Sequence, residues 1–209
     1  MSIIKLNNQG VKNATAFGSI TGLGSMTFIK KLTASSSATL SFVDGSDGVT
    51  LDNSYKEYVF TFKDIHASTI AKFSFNGSID GGSNYNVVKT TTVFNSFHYE
   101  NDGNAALGYD DDGSDIAQGT GFQPLTQYSQ NADNDGATVG TLHLFNPSST
   151  FVKHFIINSN MMGTGGGNPF TSNSYIAGYF NNTTAIDAVQ FKMSTGNIEV
   201  GDICLYGIA

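Results

Sequence analysis

Two oxygen-rich clusters are the first candidates for chemistry in this sequence. Asn131-Ala132-Asp133-Asn134-Asp135-Gly136 follows the first half of a D-x-[DN]-x-[DN]-G calcium loop, with Asn in place of the opening Asp, so that alternate side chains can converge on one cation. The pattern then stops, because the twelfth position, where a bidentate Glu belongs, is Leu142. Asp110-Asp111-Asp112-Gly113-Ser114-Asp115 is the second cluster. Asp110, Asp112, Asp133 and Asp135 are thus the candidate ligands for a structural calcium ion, although the sequence favours the simpler reading of solvated acidic turns that keep a sparsely charged surface soluble. Zinc has no ligand spacing here: Cys204 is the single cysteine, and His66, His98, His143 and His154 are well separated. Those histidines are also the available bases for hydrolysis, yet no G-x-S-x-G elbow accompanies them, and His143 and His154 fall within strand patterns. The run Gly163-Thr164-Gly165-Gly166-Gly167-Asn168 lacks the Gly-Lys-Ser/Thr that completes a phosphate loop and reads as a turn. The expectation is a protein that is not an enzyme and needs no cofactor. Tyr109 and Tyr128 are singled out among the loop-borne tyrosines as a surface for stacking on glycan rings or for packing on a partner.

Strands are the elements expected to position these residues. Tyr58, Phe60 and Phe62 share one side of a period-two pattern, as do Phe73 and Phe75; Thr39 to Val43, Thr141 to Phe145, Phe151 to Ile157, Tyr175 to Phe180 and Ala188 to Met193 behave similarly. The run from Asn86 to Glu100 is long enough to predict a bend or bulge midway. Ala188 to Met193 and the stretch from Asp202 to Ile208 read as two arms of a hairpin joined through Ser194-Thr195-Gly196-Asn197. The polar stretch from Asn101 to Ala137 reads as a projecting connection, the place to look first for a partner surface. About nine strands without an amphipathic helix predict an all-β fold, an antiparallel β-sandwich of jelly-roll type, with one domain over residues 28–209 and an irregular N-terminal arm over residues 1–27.

Composition narrows the function classes. The chain has 209 residues, of which 13% are charged and 12% aromatic, with 16 Phe and 9 Tyr, which suits a packed fold rather than a disordered chain. All ten cationic residues are lysines and the net charge is −7, so no guanidinium fork is present for phosphates or base edges, and nucleic acid is excluded as an expected partner. The N-terminal residues Met1 to Asn7 are too short an apolar run for a secretory or membrane segment, so no membrane partner is expected and synthesis in a cytoplasm is.

The C-terminal stretch carries a family resemblance. Ala185 to Ile198, with the core Val189-Gln190-Phe191-Lys192-Met193-Ser194-Thr195-Gly196-Asn197-Ile198, is followed by Gly201-Asp202-Ile203-Cys204-Leu205-Tyr206-Gly207-Ile208, and it resembles the ending of virion structural proteins of tailed phages of marine and cyanobacterial type. Tyr55 to Phe60, Asp80 to Tyr85, Lys89 to Thr92 and Phe145 to Ser149 resemble the same group, so the likeness spreads from about residue 27 to the end. It implies a non-enzymatic homo-oligomer, a trimer being one form, on the virion exterior. The leading expectation is a capsid decoration or cement protein that binds the major capsid protein. The alternative is a tail-fibre or tail-tip module that binds host surface glycan, and a glycan-degrading enzyme ranks last.

Overall fold

Runs in which apolar and polar residues alternate become strands along the chain. The computed structural model describes residues 26–109, 113–165 and 167–209, and among these it contains twelve β-strands and no helix. In chain order they are β1 (Met26–Ser37), β2 (Leu40–Val43), β3 (Glu57–Ala67), β4 (Phe73–Ser78), β5 (Lys89–Tyr99), β6 (Ala105–Tyr109), β7 (Gln123–Pro124), β8 (Thr138–Phe145), β9 (Lys153–Gly165), β10 (Asn168–Phe180), β11 (Ala188–Met193) and β12 (Ile198–Ile208). They form an eight-stranded sheet in the order β1-β12-β3-β8-β9-β10-β5-β6 and a four-stranded sheet in the order β2-β11-β4-β7. Every strand pair is antiparallel. The fold is an all-β antiparallel sandwich, as the alternating patterns predict; its eight-and-four division does not establish jelly-roll connectivity. Of the expected N-terminal arm only Met26 and Thr27 are described, and they open β1; the remainder lies outside the described residues.

Phenylalanine rings fill the space between the sheets. Phe191 of β11 lies 5.4 Å from both Phe60 and Phe62 of β3 and 5.8 Å from Phe73 of β4, while Phe75 of β4 meets Phe155 of β9 at 5.2 Å and Phe180 of β10 at 6.1 Å. The small sheet therefore covers β3, β9 and β10. Period two explains why: the inward positions of these strands are the aromatics whose alternation is visible in the sequence. On β12, Gly207 leaves room for Tyr55, whose ring lies 2.3 Å from where a Cβ would stand.

Three readings of the chain are corrected by this arrangement. β11 and β12 do not form a hairpin: β11 pairs with β2 and β4 in the small sheet and β12 with β1 and β3 in the large one, so the Ser194–Asn197 turn crosses between layers. β5 carries no bulge, pairing with β10 over its 11 residues without a register shift, and it is flanked on its other side by β6 along part of its length. Nor does the polar connection project along its described length. Ser114, Gln123, Leu125, Thr126, Gln127 and Gln130 are buried, since this segment roofs the part of the large sheet that the small sheet leaves open.

Beside the core contact of Leu125, that roof is held by hydrogen bonds between buried polar groups. Thr91 Oγ1 donates to Gln123 Oε1 at 2.7 Å, the Ile116 amide donates to Thr91 Oγ1 at 2.8 Å, and the Gln127 amide donates to Ser174 Oγ at 3.0 Å. Gln130 Nε2 reaches the Ile65 carbonyl at 2.9 Å. Pairing of this kind lets polar side chains be buried without the desolvation cost of unpaired groups, on the order of 1–3 kcal/mol each.

Candidate functional site

Two surfaces stand out from the sandwich, and both follow from strand alternation. The first is the outer face of β8, β9, β10, β5 and β6. On β5 the outward residues are Thr90, Thr92, Phe94, Ser96 and His98, and on β10 they run from Thr171 through Asn173, Tyr175 and Ala177 to Tyr179. The register carries one row across the sheet from Tyr109 to Phe94, Tyr175, Asn158 and Thr141, and the next from Thr92 to Ala177, Ile156 and His143. No outward position on these five strands is Asp, Glu or Lys. The same sheet changes character at β3, whose outward residues include Glu57 and Lys63, and beyond it lies Asp202 of β12. Thr33 Oγ1 at 2.5 Å and Lys31 Nζ at 3.1 Å donate to Asp202 and hold its carboxyl below the ordinary aspartate value.

The neutral half mixes uncharged polar residues with exposed apolar ones. Phe94 and Tyr175 stack at 4.9 Å with 14° between their planes, yet both remain at least 40% exposed; Ile156 is 52% exposed and Leu107 74%. Small residues at Thr92 and Ala177 sink a shallow groove of about 510 Å³ between Tyr179, His154 and Ile156. Carboxylates meet the face only at its margins: Glu57 Oε1 lies 2.5 Å from His143 Nδ1, Asp102 Oδ1 lies 3.0 Å from His98 Nε2, and Asp115 accepts from the Tyr109 hydroxyl.

The second surface is an aromatic cleft on the opposite side of the large sheet, near its β5–β6 edge. Phe97 and Tyr99 of β5 and Phe170 of β10 point inward there, beyond the reach of the small sheet, and Tyr128 of the roof segment packs edge-on against Phe97 at 5.9 Å and Phe170 at 5.4 Å. With Ile70 as a further wall these rings bound a cleft of about 250 Å³, whose rim carries Ser129, Asn131 and Thr164. No lining residue is charged.

The residues singled out by sequence are dispersed. Asp110 and Asp112 lie outside the described residues. Asp133 and Asp135 are exposed on the roof segment, where the Gly136 amide donates to the Asp133 carbonyl at 3.0 Å to close a turn. Among the described residues, no three His, Cys, Asp or Glu side chains gather as a metal site. Tyr109 stands on the outer face, opposite Phe94 in register, and its hydroxyl donates to Asp115 Oδ2 at 2.9 Å. Tyr128 stands in the cleft, so the two tyrosines occupy opposite sides of the sheet. By sequence Tyr99 is one of the loop-borne tyrosines, but Phe97 and Phe170, which join it and Tyr128, are not marked out by their spacing: they sit on two strands about 70 residues apart, and only the β5–β10 register, with Tyr99 opposite Phe170, unites them.

Two buried lysines were likewise invisible in the sequence. Lys89 is fully buried, and its ammonium donates to the carbonyls of Gly121 at 2.6 Å and Val87 at 3.1 Å; burial lowers its pKa to about 8. Lys153 donates to the carbonyls of Asn182 and Thr184 in the same manner, and burial lowers its pKa too. Both tie a loop to the end of a strand.

The chain is thus a β-sandwich that presents a neutral sheet face and an aromatic cleft. Comparisons with protein-family models, with curated proteins and with solved structures find no match to this chain.

Proposed function

We propose that this chain is a non-enzymatic structural protein of a tailed-phage virion, a capsid decoration protein that packs against further copies of itself through the outer face of β8, β9, β10, β5 and β6. The observation that carries the assembly reading is the absence of any charged residue from the outward positions of five adjacent strands. Interface centres are depleted in charge and enriched in aromatics, whereas exposed surfaces of soluble domains are roughly 25–35% charged. The area also fits: five strands at ~4.8 Å spacing and about nine residues of length give roughly 24 by 30 Å, on the order of 700 Å² beside the ~800 Å² per partner of a standard interface. The virion setting is supported by the resemblance of the Ala185–Ile208 stretch and its upstream companions, which span most of the chain.

A second copy suits this face better than a charged partner does. Two neutral sheet faces pack without desolvating an ion, and the stacked Phe94 and Tyr175 offer a preformed aromatic ridge to the groove beside Ala177. Phage particles lacking this protein are expected to lose capsid integrity at lower temperature or in low salt, with adsorption to host cells unchanged. Capsids as stable as wild type, or density for the protein on the tail instead of the shell in cryo-electron microscopy of the particle, would overturn the decoration role.

A further inference from the structure

Beyond assembly, and independent of it, the aromatic cleft has the features of a small-molecule site. We infer that the cleft between Tyr128, Phe97, Tyr99 and Phe170 binds one ring of a neutral saccharide. Its volume of about 250 Å³ lies just under the ~300–1,000 Å³ of sites for drug-sized ligands, which matches a single sugar ring rather than an oligomer. A pyranose presents an apolar C–H face and a hydroxyl edge. The cleft offers both complements: aromatic faces and edges on the walls, and hydroxyl or carboxamide groups at the rim.

Two further observations point to a polar but uncharged ligand. The phenol hydroxyls of Tyr99 and Tyr128 have no hydrogen-bond partner among the described residues, although their rings are packed in a fixed mutual geometry. Asn131 spends its amide nitrogen on Thr164 Oγ1 and, at 3.5 Å, on Asp133 Oδ2, which fixes the carboxamide and leaves its oxygen as an acceptor at the rim. Nothing charged lines the walls, so a sulfated, phosphorylated or carboxylated sugar would be desolvated there without a counter-ion. Three of the four rings are held by paired strands of the large sheet, since Phe97 and Tyr99 belong to β5 and Phe170 to β10.

Saturation-transfer NMR on the full chain, with methyl glucoside, methyl galactoside, methyl mannoside and N-acetylglucosamine as neutral probes and N-acetylneuraminic acid as the anionic one, tests this. The expected result is transfer to the ring protons of at least one neutral probe and none to the anionic one, with affinity about tenfold weaker in Tyr128→Ala. Tyr128→Phe keeps the ring and the fold and should weaken binding severalfold through loss of the hydroxyl alone, while Tyr109→Ala, on the other side of the sheet, should bind as wild type does. No transfer to any neutral probe from folded protein at millimolar concentration would overturn the assignment. Binding that survives both Tyr128 substitutions, or that prefers the anionic sugar, would do the same.

Discussion

Phe191→Ala is expected to cost about 3–5 kcal/mol of folding stability, the range for removing a large aromatic from a packed core. Among the described residues no other ring meets so many rings: the centroids of Phe42, Phe60, Phe62, Phe73 and Phe75 all lie within 6.3 Å of it, and it is fully buried. These five come from β2, β3 and β4, that is, from both sheets, so the cavity left by alanine opens at the contact between layers and cannot close by moving one loop. Urea unfolding reads the effect as a lower midpoint with an unchanged slope. Phe191→Leu, which keeps much of the volume, should lose considerably less. Equal losses for both variants, or a loss under 1 kcal/mol for alanine, would show that Phe191 does not join the layers.

The second large effect is a dependence on alkaline pH centred on Lys89. Its folded pKa is lowered to about 8 against a reference value of 10.5, so between these values the unfolded chain binds the proton that the folded chain has lost. Stability therefore rises from about pH 8 to about pH 10.5, and the penalty of burying the ammonium, about 3 kcal/mol, is present in full only below pH 8. Neutral Lys89 still donates to the carbonyls of Gly121 and Val87, which is why deprotonation relieves the charge without breaking the tie. Tyr58 acts in the opposite direction. Burial, and the nearby Asp52, raise its phenol well above the ordinary value, so stability falls again as the unfolded chain ionises above pH 10.

Comparison with Lys89→Met isolates the lysine from every other titrating group. The difference in unfolding free energy between wild type and variant should shift by about 2.5 kcal/mol in favour of wild type from pH 7 to pH 10, since the orphaned carbonyls cost the variant equally at both. A difference that stays constant with pH would mean that Lys89 is solvated in the folded chain.

How far the structure was legible varied with the kind of residue. The rings at Phe60, Phe62, Phe73 and Phe75 announced their strands because an inward face must be apolar, and apolar alternation is local information. β1 was missed for the converse reason: it is an edge strand, paired only with β12, and its Lys30, Lys31 and serines show no buried stripe. The roof segment was misplaced because Gln123, Gln130 and Ser114 look solvated until their partners, which are remote in sequence, are known. The misread β11–β12 turn has a similar cause, since alternation shows which side of a strand is buried but not to which sheet it belongs.

The candidate surfaces sit at the limit of that legibility. The uncharged outward residues of β5, β9 and β10 are each readable from alternation, yet only the register reveals that they are adjacent and form one face. Tyr128 was singled out as an exposed loop aromatic and instead stands in a ring cluster, whereas Tyr109 stands on the neutral face with Phe94 and Tyr175.

Molar mass in solution tests the assembly claim most directly. Light scattering on the full chain should give a multiple of its 22.2 kDa, and Ile156→Lys combined with Tyr175→Lys, both at exposed positions, should return a folded monomer by placing two like charges on the face. A wild-type chain that stays at 22.2 kDa, or an oligomer that survives both lysines, would contradict the assignment of that face as the surface between copies.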